Sequence, residues 1–243
     1  MHISIAAEKL FEIGGWPVTN ALLLSSLVFI TLAGAAVFLR NKMAMIPGKL
    51  QSIFELLLEE ILKLMDSLLG SRRLSERYLP LIATIFLFVV ISNWFGLLPL
   101  GAIGIREGEK GLVPLFRSPA SDLNFTLALA LISILSINIL GITAIGFIKH
   151  AKKFFNFSHP IYTFVGLLEF IAEFVKIISF SFRLFGNVFA GEVLLAIVGF
   201  LVPYVLPLPF LFLEVFVGFI QAFIFAMLTL VFVAMAVREE AGH

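Results

Sequence analysis

Eight charged or amide side chains stand inside the apolar last third of this sequence: Glu169, Glu173, Lys176, Arg183, Asn187, Glu192, Glu214 and Gln221. Carboxylates and lysine in such surroundings take up, hold and release protons, and arginine, always charged, binds anions. An arginine at the middle of a bilayer costs about 2.5–3.5 kcal/mol on insertion scales, so its presence calls for a role or a partner. At 100° per residue from Glu169, Glu173 falls at about 40°, Lys176 at 340°, Arg183 at 320° and Asn187 at 0°. These five form one narrow polar stripe, and Glu192 lies about 180° from Arg183. Glu214, Gly218 and Gln221 share a face of the next helix.

Arg183 has no acidic helical neighbour, because three and four residues away stand Ser179, Phe180, Gly186 and Asn187. Glu169 is about 21 Å away along the axis. With a turn near residue 205, Glu214 is offset from Arg183 by about 19 Å of depth. Gln221 is then the nearest strongly polar residue of the second helix. A carboxylate at the depth of Arg183 is missing from the hairpin, so it is expected from another chain or from an ion pathway. Glu192 and Glu214 sit at similar depth near the turn, where two carboxyls in one low-dielectric site tend to share a proton. Glu169 and Glu173 lie toward the other end. The order reads as outer acidic site, central arginine, inner acidic site.

Plainer readings compete. Lys176 is three residues from Glu173 and fits a paired or snorkelling charge. Glu169 and Glu173 fit interfacial anchors. Asn187 and Gln221 fit interhelical hydrogen-bond glue, and Gly186, Gly191 and Gly218 fit close-packing positions. Arg183 resists such a reading. Other chemistries are excluded. Lys110-Gly111 lacks the Ser or Thr and the spacing of a phosphate loop. There is no cysteine, and no His or carboxylate cluster has metal-ligand spacing. His2, His150, His159 and His243 fall near ends or loops, and His159-Pro160 fits a helix start. Lys149-His150-Ala151-Lys152-Lys153 reads as a basic anchor, with lipid headgroup binding as the alternative.

The elements that must hold these residues are apolar. Hydrophobic residues make up 60% of the 243 and charged residues 14%, with 28 Phe and a mean hydropathy of +1.09. Soluble domains run near 45–50% and about 25%, so the chain reads as an integral membrane protein. A net charge of +1 gives no reason to expect nucleic acid. The N-terminal stretch carries Glu8 and Glu12 and lacks the basic start of a signal peptide. Residues 13–39, 78–105 and 123–148 are charge-free, each longer than the ~20 residues that cross a bilayer. Residues 48–70 alternate Leu, Ile, Phe and Met with charged residues at helical spacing, as in an amphipathic helix on the membrane surface. Residues 100–122, rich in Gly and Pro, read as a loop. Residues 162–202 allow a continuous helix of about 61 Å, twice the hydrocarbon thickness, so strong tilt is expected. Pro203, Pro207 and Pro209 make a turn before a second long helix over 210–238.

The expected fold is an all-α integral membrane protein. It has five membrane-embedded helices plus one amphipathic surface helix, and the C-terminal pair is a long tilted helical hairpin. Residues 1–243 form a single membrane domain: 1–70 with a span and the surface helix, 78–149 with a two-span hairpin, and 160–238 with the tilted hairpin. With the N-terminus outside, the inner side receives eleven Lys and Arg and the outer side four (Lys9, Arg106, Lys110 and Arg117), which sets N-out, C-in. No internal repeat of the kind found in inverted-repeat transporters is visible.

The segment Ser181-Phe182-Arg183-Leu184-Phe185-Gly186-Asn187-Val188-Phe189-Ala190-Gly191-Glu192 closely resembles subunit a of the F-type rotary ATP synthases, bacterial type. Gln221-Ala222-Phe223-Ile224-Phe225, Asn93-Trp94-Phe95-Gly96-Leu97-Leu98-Pro99 and Pro119-Ala120-Ser121-Asp122-Leu123-Asn124 resemble the same family, in order, over roughly residues 75–240. The resemblance implies a static membrane half of a motor, packed against a rotating c-subunit ring whose carboxylates are loaded and unloaded through two offset half-channels. It implies that Arg183 is the essential arginine. Glu192, Glu214, Asn187 and Gln221 would serve the outer pathway or flank the arginine, and Glu169 and Lys176 the inner side. It supplies the carboxylate that Arg183 lacks. Many relatives carry histidine at one of the outer pair of positions, where both Glu192 and Glu214 are acidic here.

By the resemblance the chain is a non-catalytic, proton-translocating subunit without cofactor or metal. Its partners would be the c-ring, the peripheral-stalk b subunits and the remaining synthase, in a bacterial plasma (inner) membrane with a cytoplasmic C-terminus. The rival is a stand-alone secondary transporter or ion channel in which Arg183 binds an anion or gates a pore. Missing repeats and the steep hairpin weigh against it. A structural scaffold would leave the polar stripe unexplained.

Overall fold

The computed structural model describes residues 7–98, 105–108, 111–154, 160–203 and 205–238. His2, His159, His243, Pro99, Lys110 and the glycines at 101 and 104 lie outside them. The elements in order are β1 (Lys9–Ile13), β2 (Trp16–Thr19), α1 (Asn20–Lys42), α2 (Lys49–Leu69), α3 (Arg72–Leu97), β3 (Ile105–Gly108), β4 (Gly111–Pro114), a 3-10 turn (Pro119–Ser121), α4 (Leu123–Ile145), α5 (Phe147–Phe154), α6 (Pro160–Leu201) and α7 (Pro207–Arg238). Among the described residues, α1, α3, α4, α6 and α7 are long and apolar enough to cross a membrane. The amphipathic stretch is α2, as its periodicity predicts.

Boundaries follow local chemistry. Gly14 and Gly15, at φ +59° and +86°, close a two-residue turn between β1 and β2. The charge-free run from residue 13 therefore begins as a hairpin, and α1 starts only at Asn20, capped by Thr19. At 23 residues it is still about 34 Å long. Gly70, at φ +72°, ends α2, and Ser71 caps α3, which starts six residues before the charge-free window. Its early arginines are accommodated because Arg72 is clasped by Glu59 at 2.8 Å, Asp66 at 3.1 Å and Glu76 at 3.3 Å. The hydrogen bond from Arg72 holds the Glu59 carboxyl below its ordinary range.

Two expectations need correction. The Gly- and Pro-rich stretch is not a plain loop: β3 and β4 pair antiparallel, with Arg106 opposite Val113, and the 3-10 turn precedes α4. Residues 147–154 form a separate helix, α5, because Gly146 at φ +87° breaks α4. The core gathers Met65 of α2, Tyr78 and Val89 of α3, Ala130 of α4, Leu184 of α6, and Phe225, Leu230 and Val233 of α7. In their most apolar stretches, 56% of α7 residues are buried against 17% of α6 residues. So α7 is the enclosed helix of the hairpin, and α6, 42 residues and about 63 Å long, leaves a broad face uncovered.

Candidate functional site

The polar stripe runs along one edge of the buried face of α6. Gly166, Phe180, Leu184, Gly191 and Val198 are buried. They centre near 40° on the wheel that places Arg183 at about 320°. Leu184 and Phe180 therefore anchor the backbone in the core, Phe180 edge-on to Phe225 of α7 with centroids 4.8 Å apart. Arg183 and Phe182 point outward and are exposed. The Arg183 guanidinium donates to Ser179 Oγ at 3.3 Å, and among the described residues it forms no ion pair. The carboxylate that counting along the hairpin does not supply is not supplied by any other described residue either.

One turn from Arg183, Asn187 Nδ2 donates to Gln221 Oε1 at 2.7 Å. This joins α6 to α7 where sequence counting placed the nearest polar residue of the second helix. Gln221 is buried, and its Nε2 finds no acceptor among the described residues. From α3, Asn93 Nδ2 donates to Gly218 O at 2.9 Å and Trp94 Nε1 to Val215 O at 3.1 Å. These bonds fix α7 between the levels of Glu214 and Gln221.

Toward the α6–α7 turn, Glu192 meets a partner that the sequence did not single out. Arg117 Nε lies 3.6 Å from Glu192 Oε2, with the two side chains 12% and 27% exposed. Arg117 is itself held by Ser121, donating to its Oγ at 3.0 Å and to its backbone oxygen at 3.4 Å. The Pro119–Ser121 turn is thus what carries the cation to α6. Glu214 of α7 has its carboxyl packed against Gly191, the residue before Glu192. Sequence counting put Glu192 and Glu214 at one depth. The structure adds a positive charge on the α6 side of that level, at Glu192. Ser92 Oγ, Asn93 Oδ1 and Ser118 Oγ are buried nearby with no partner among the described residues, the condition that ordered water satisfies.

At the other end of α6, Lys176 Nζ meets Glu173 Oε1 at 2.6 Å and lies 4.6 Å above the Phe232 ring. Asn138 Nδ2 reaches Glu173 Oε2 at 3.4 Å, and Asn138 Oδ1 lies 3.0 Å from His150 Nε2. Glu169 stands one turn further, its Oε2 buried. Sequence reasoning missed Asn138 and took His150 for part of an anchor. Nothing in a Lys-rich run marks one member as turned inward. The arrangement is therefore an outward cation with carboxylate levels on either side along one helix. Glu192 is about 13.5 Å away and Glu169 about 21 Å. Such a set can exchange protons at two separate depths and cannot pass them through the arginine, which stays protonated.

Residues 21–234 match the protein family described as ATP synthase A chain. The chain is 36% identical over 211 residues to the ATP synthase subunit a of Campylobacter jejuni subsp. jejuni serotype O:23/36 (strain 81-176), covering 86% of this chain and 85% of that one. It is 35% identical over 218 residues to the ATP synthase subunit a of Gloeobacter violaceus, covering 89% and 82%. To that of Mycobacterium ulcerans it is 34% identical over 230 residues, covering 93% and 89%.

Proposed function

The chain belongs to the ATP synthase A chain family, and we propose that it is the stator subunit that passes protons to and from carboxylates on a rotating c-subunit ring. It is a multi-pass membrane protein, crossing the bilayer with α1, α3, α4, α6 and α7. The observation that carries the proposal is Arg183: an outward guanidinium with no carboxylate partner among the described residues, bracketed by carboxylates at two depths. A ring carboxylate arriving at Arg183 gives up its proton because the cation stabilises the ionised form. Arginine does not release a proton in turn, so the two access paths stay separate. Glu192 with Arg117, Glu214, Asn187 and Gln221 then serve the path that loads the ring. Glu169 and Lys176 serve the path that unloads it. A reprotonated, neutral ring carboxyl moves on into lipid.

The charge distribution supports an orientation with the β-hairpins and the α6–α7 turn outside and α2 and α5 inside. Pairing with c subunits and with peripheral-stalk b subunits follows from this reading, and the chain does no bond-making chemistry of its own. Copurification tests the partners: a stator extracts with a ring and a stalk, and a solitary transporter does not. The sharper test is Arg183→Lys in assembled complexes. Lysine keeps a positive charge, but it releases a proton when buried and lacks the planar fork that holds a carboxylate. Arg183→Lys is expected to assemble and to lose ATP-driven proton pumping. Pumping at the unsubstituted rate would sink the mechanism.

A further inference from the structure

Four side chains from three helices form a continuous polar chain at the α5 end of the bundle: Lys176, Glu173, Asn138 and His150. Neither Glu173 nor His150 has a part in the pathway described above. Yet His150 is 8% exposed, while its neighbour Lys149 is exposed. Its ring lies against Gly141 of α4. A Cβ there would stand 3.1 Å from His150 Cε1, 3.2 Å from Nδ1 and 3.3 Å from Ala236 Cβ. The glycine makes the seat for the imidazole, and Phe154 closes it edge-on with centroids 5.7 Å apart.

The hydrogen-bond directions are determined. Asn138 Nδ2 faces two acceptors, Ile134 O at 2.9 Å and Glu173 Oε2 at 3.4 Å, so it is the donor end of the amide. Asn138 Oδ1 therefore faces His150, and His150 Nε2 must carry a hydrogen. An amide nitrogen does not give up its proton under ordinary conditions, so Asn138 does not conduct. It transmits orientation. His150 fixes Asn138, and Asn138 fixes one oxygen of Glu173, leaving Oε1 to Lys176 on the side of Arg183. Glu173 is ten residues from Arg183, about 15 Å along the helix, and one turn from Glu169.

We propose that Glu173 is a proton-relay carboxylate on the α5 side of the pathway, and that His150, acting through Asn138, is the positioning residue that orients it. A proton arriving from the Arg183 level binds Glu173 Oε1 to give the neutral acid. The same proton then leaves to water at that end, and the carboxylate is restored. This rests on the half-channel reading given above.

The test uses the complete ATP synthase in vesicles, with passive proton flux and ATP-driven pumping normalised to assembled complex. Glu173→Gln is expected to lower flux on the order of tenfold, less than a sole relay group would give because Glu169 stands one turn away. His150→Ala is expected to lower it about fivefold, the weight of one neutral hydrogen bond. His150→Gln is expected to restore flux, since an amide N–H of similar reach donates to the same Asn138 Oδ1. In a Glu173→Gln background His150→Ala should do nothing more. A packing role predicts otherwise: no rescue by His150→Gln, and the same loss with or without Glu173. Either result overturns the proposal, and so does unchanged flux in Glu173→Gln. Arg183→Lys, measured alongside, separates the levels of failure. If it stops pumping while Glu173→Gln does not slow flux, only the present inference falls. If Arg183→Lys pumps normally, the half-channel reading falls with it.

Discussion

Replacing Gly191 by alanine should impair the Glu192–Glu214 level without removing a polar side chain. A Cβ at this buried position would overlap all three atoms of the Glu214 carboxyl, far inside ordinary van der Waals contact. Two responses are open. The Glu214 side chain leaves its rotamer, at about 0.5–1.5 kcal/mol. Or α6 and α7 part locally, at about 1–3 kcal/mol for overpacking. Expressed in a transfer step, 1–3 kcal/mol is roughly fivefold to a hundredfold in rate. Misplacement of a proton-exchanging group by about 1 Å is of the same order. The assay is ATP-driven pumping in inverted vesicles, read by a pH-sensitive dye and normalised to assembled complex. Gly191→Ala should pump about tenfold more slowly. Adding Glu214→Asp, one methylene shorter, should recover much of the loss. Gly199→Ala is the control, because nothing lies within 4 Å of a Cβ there on the same helix. If Gly191→Ala pumps as well as Gly199→Ala, the close seat of Glu214 on Gly191 is irrelevant to transport and the reasoning fails.

Orientation is checked with single cysteines, cleanly because the chain has none of its own. Trp16→Cys, at a 79% exposed position in the first hairpin, should label from outside, and Ala44→Cys, in the exposed connection before α2, from inside; labelling of both from one side would end the topology proposed above. The α2–α3 clasp should depend on pH. Glu59 is held below its ordinary value of 4.5, so its contribution is fully present above that value and is lost as pH falls through the lowered one. Protection of amides at the α2–α3 turn against exchange should therefore fall as pH drops below 4.5 in the unsubstituted chain and not in Arg72→Ala, and the difference should shrink in about 1 M salt.

Much of this architecture is legible in the chain. Three spans follow from charge-free length, the C-terminal pair from long apolar runs parted by prolines, and α2 from its 3.6-residue period, because burial in lipid or against it imposes these patterns. The edges of the spans are less legible. Charge marks the end of a membrane helix only where water is the charge's best partner, and Arg72 has three carboxylates instead. The stripe from Glu169 to Asn187 is visible because helical geometry alone aligns it. Arg117 and Glu192 are 75 positions apart, joined only because the Pro119–Ser121 turn packs on α6, and no periodicity encodes such a meeting. His150 is hidden for another reason. Its neighbours are lysines, and what turns it inward is a glycine on a different helix.

The two bonds from α3 to the backbone of α7 have a mechanical meaning. A side force on the open face of α6 passes inward through Phe180 against Phe225 and through Asn187 to Gln221. From α7 it is carried to α3, where Asn93 and Trp94 grip the carbonyls of Gly218 and Val215, three residues apart, and resist sliding along the axis as well as rolling. The load is thus shared by three helices between the level of the arginine and that of Glu214. In the middle of the bundle α6 behaves as the facing of a thick beam, and compliance is left to its two overhanging ends.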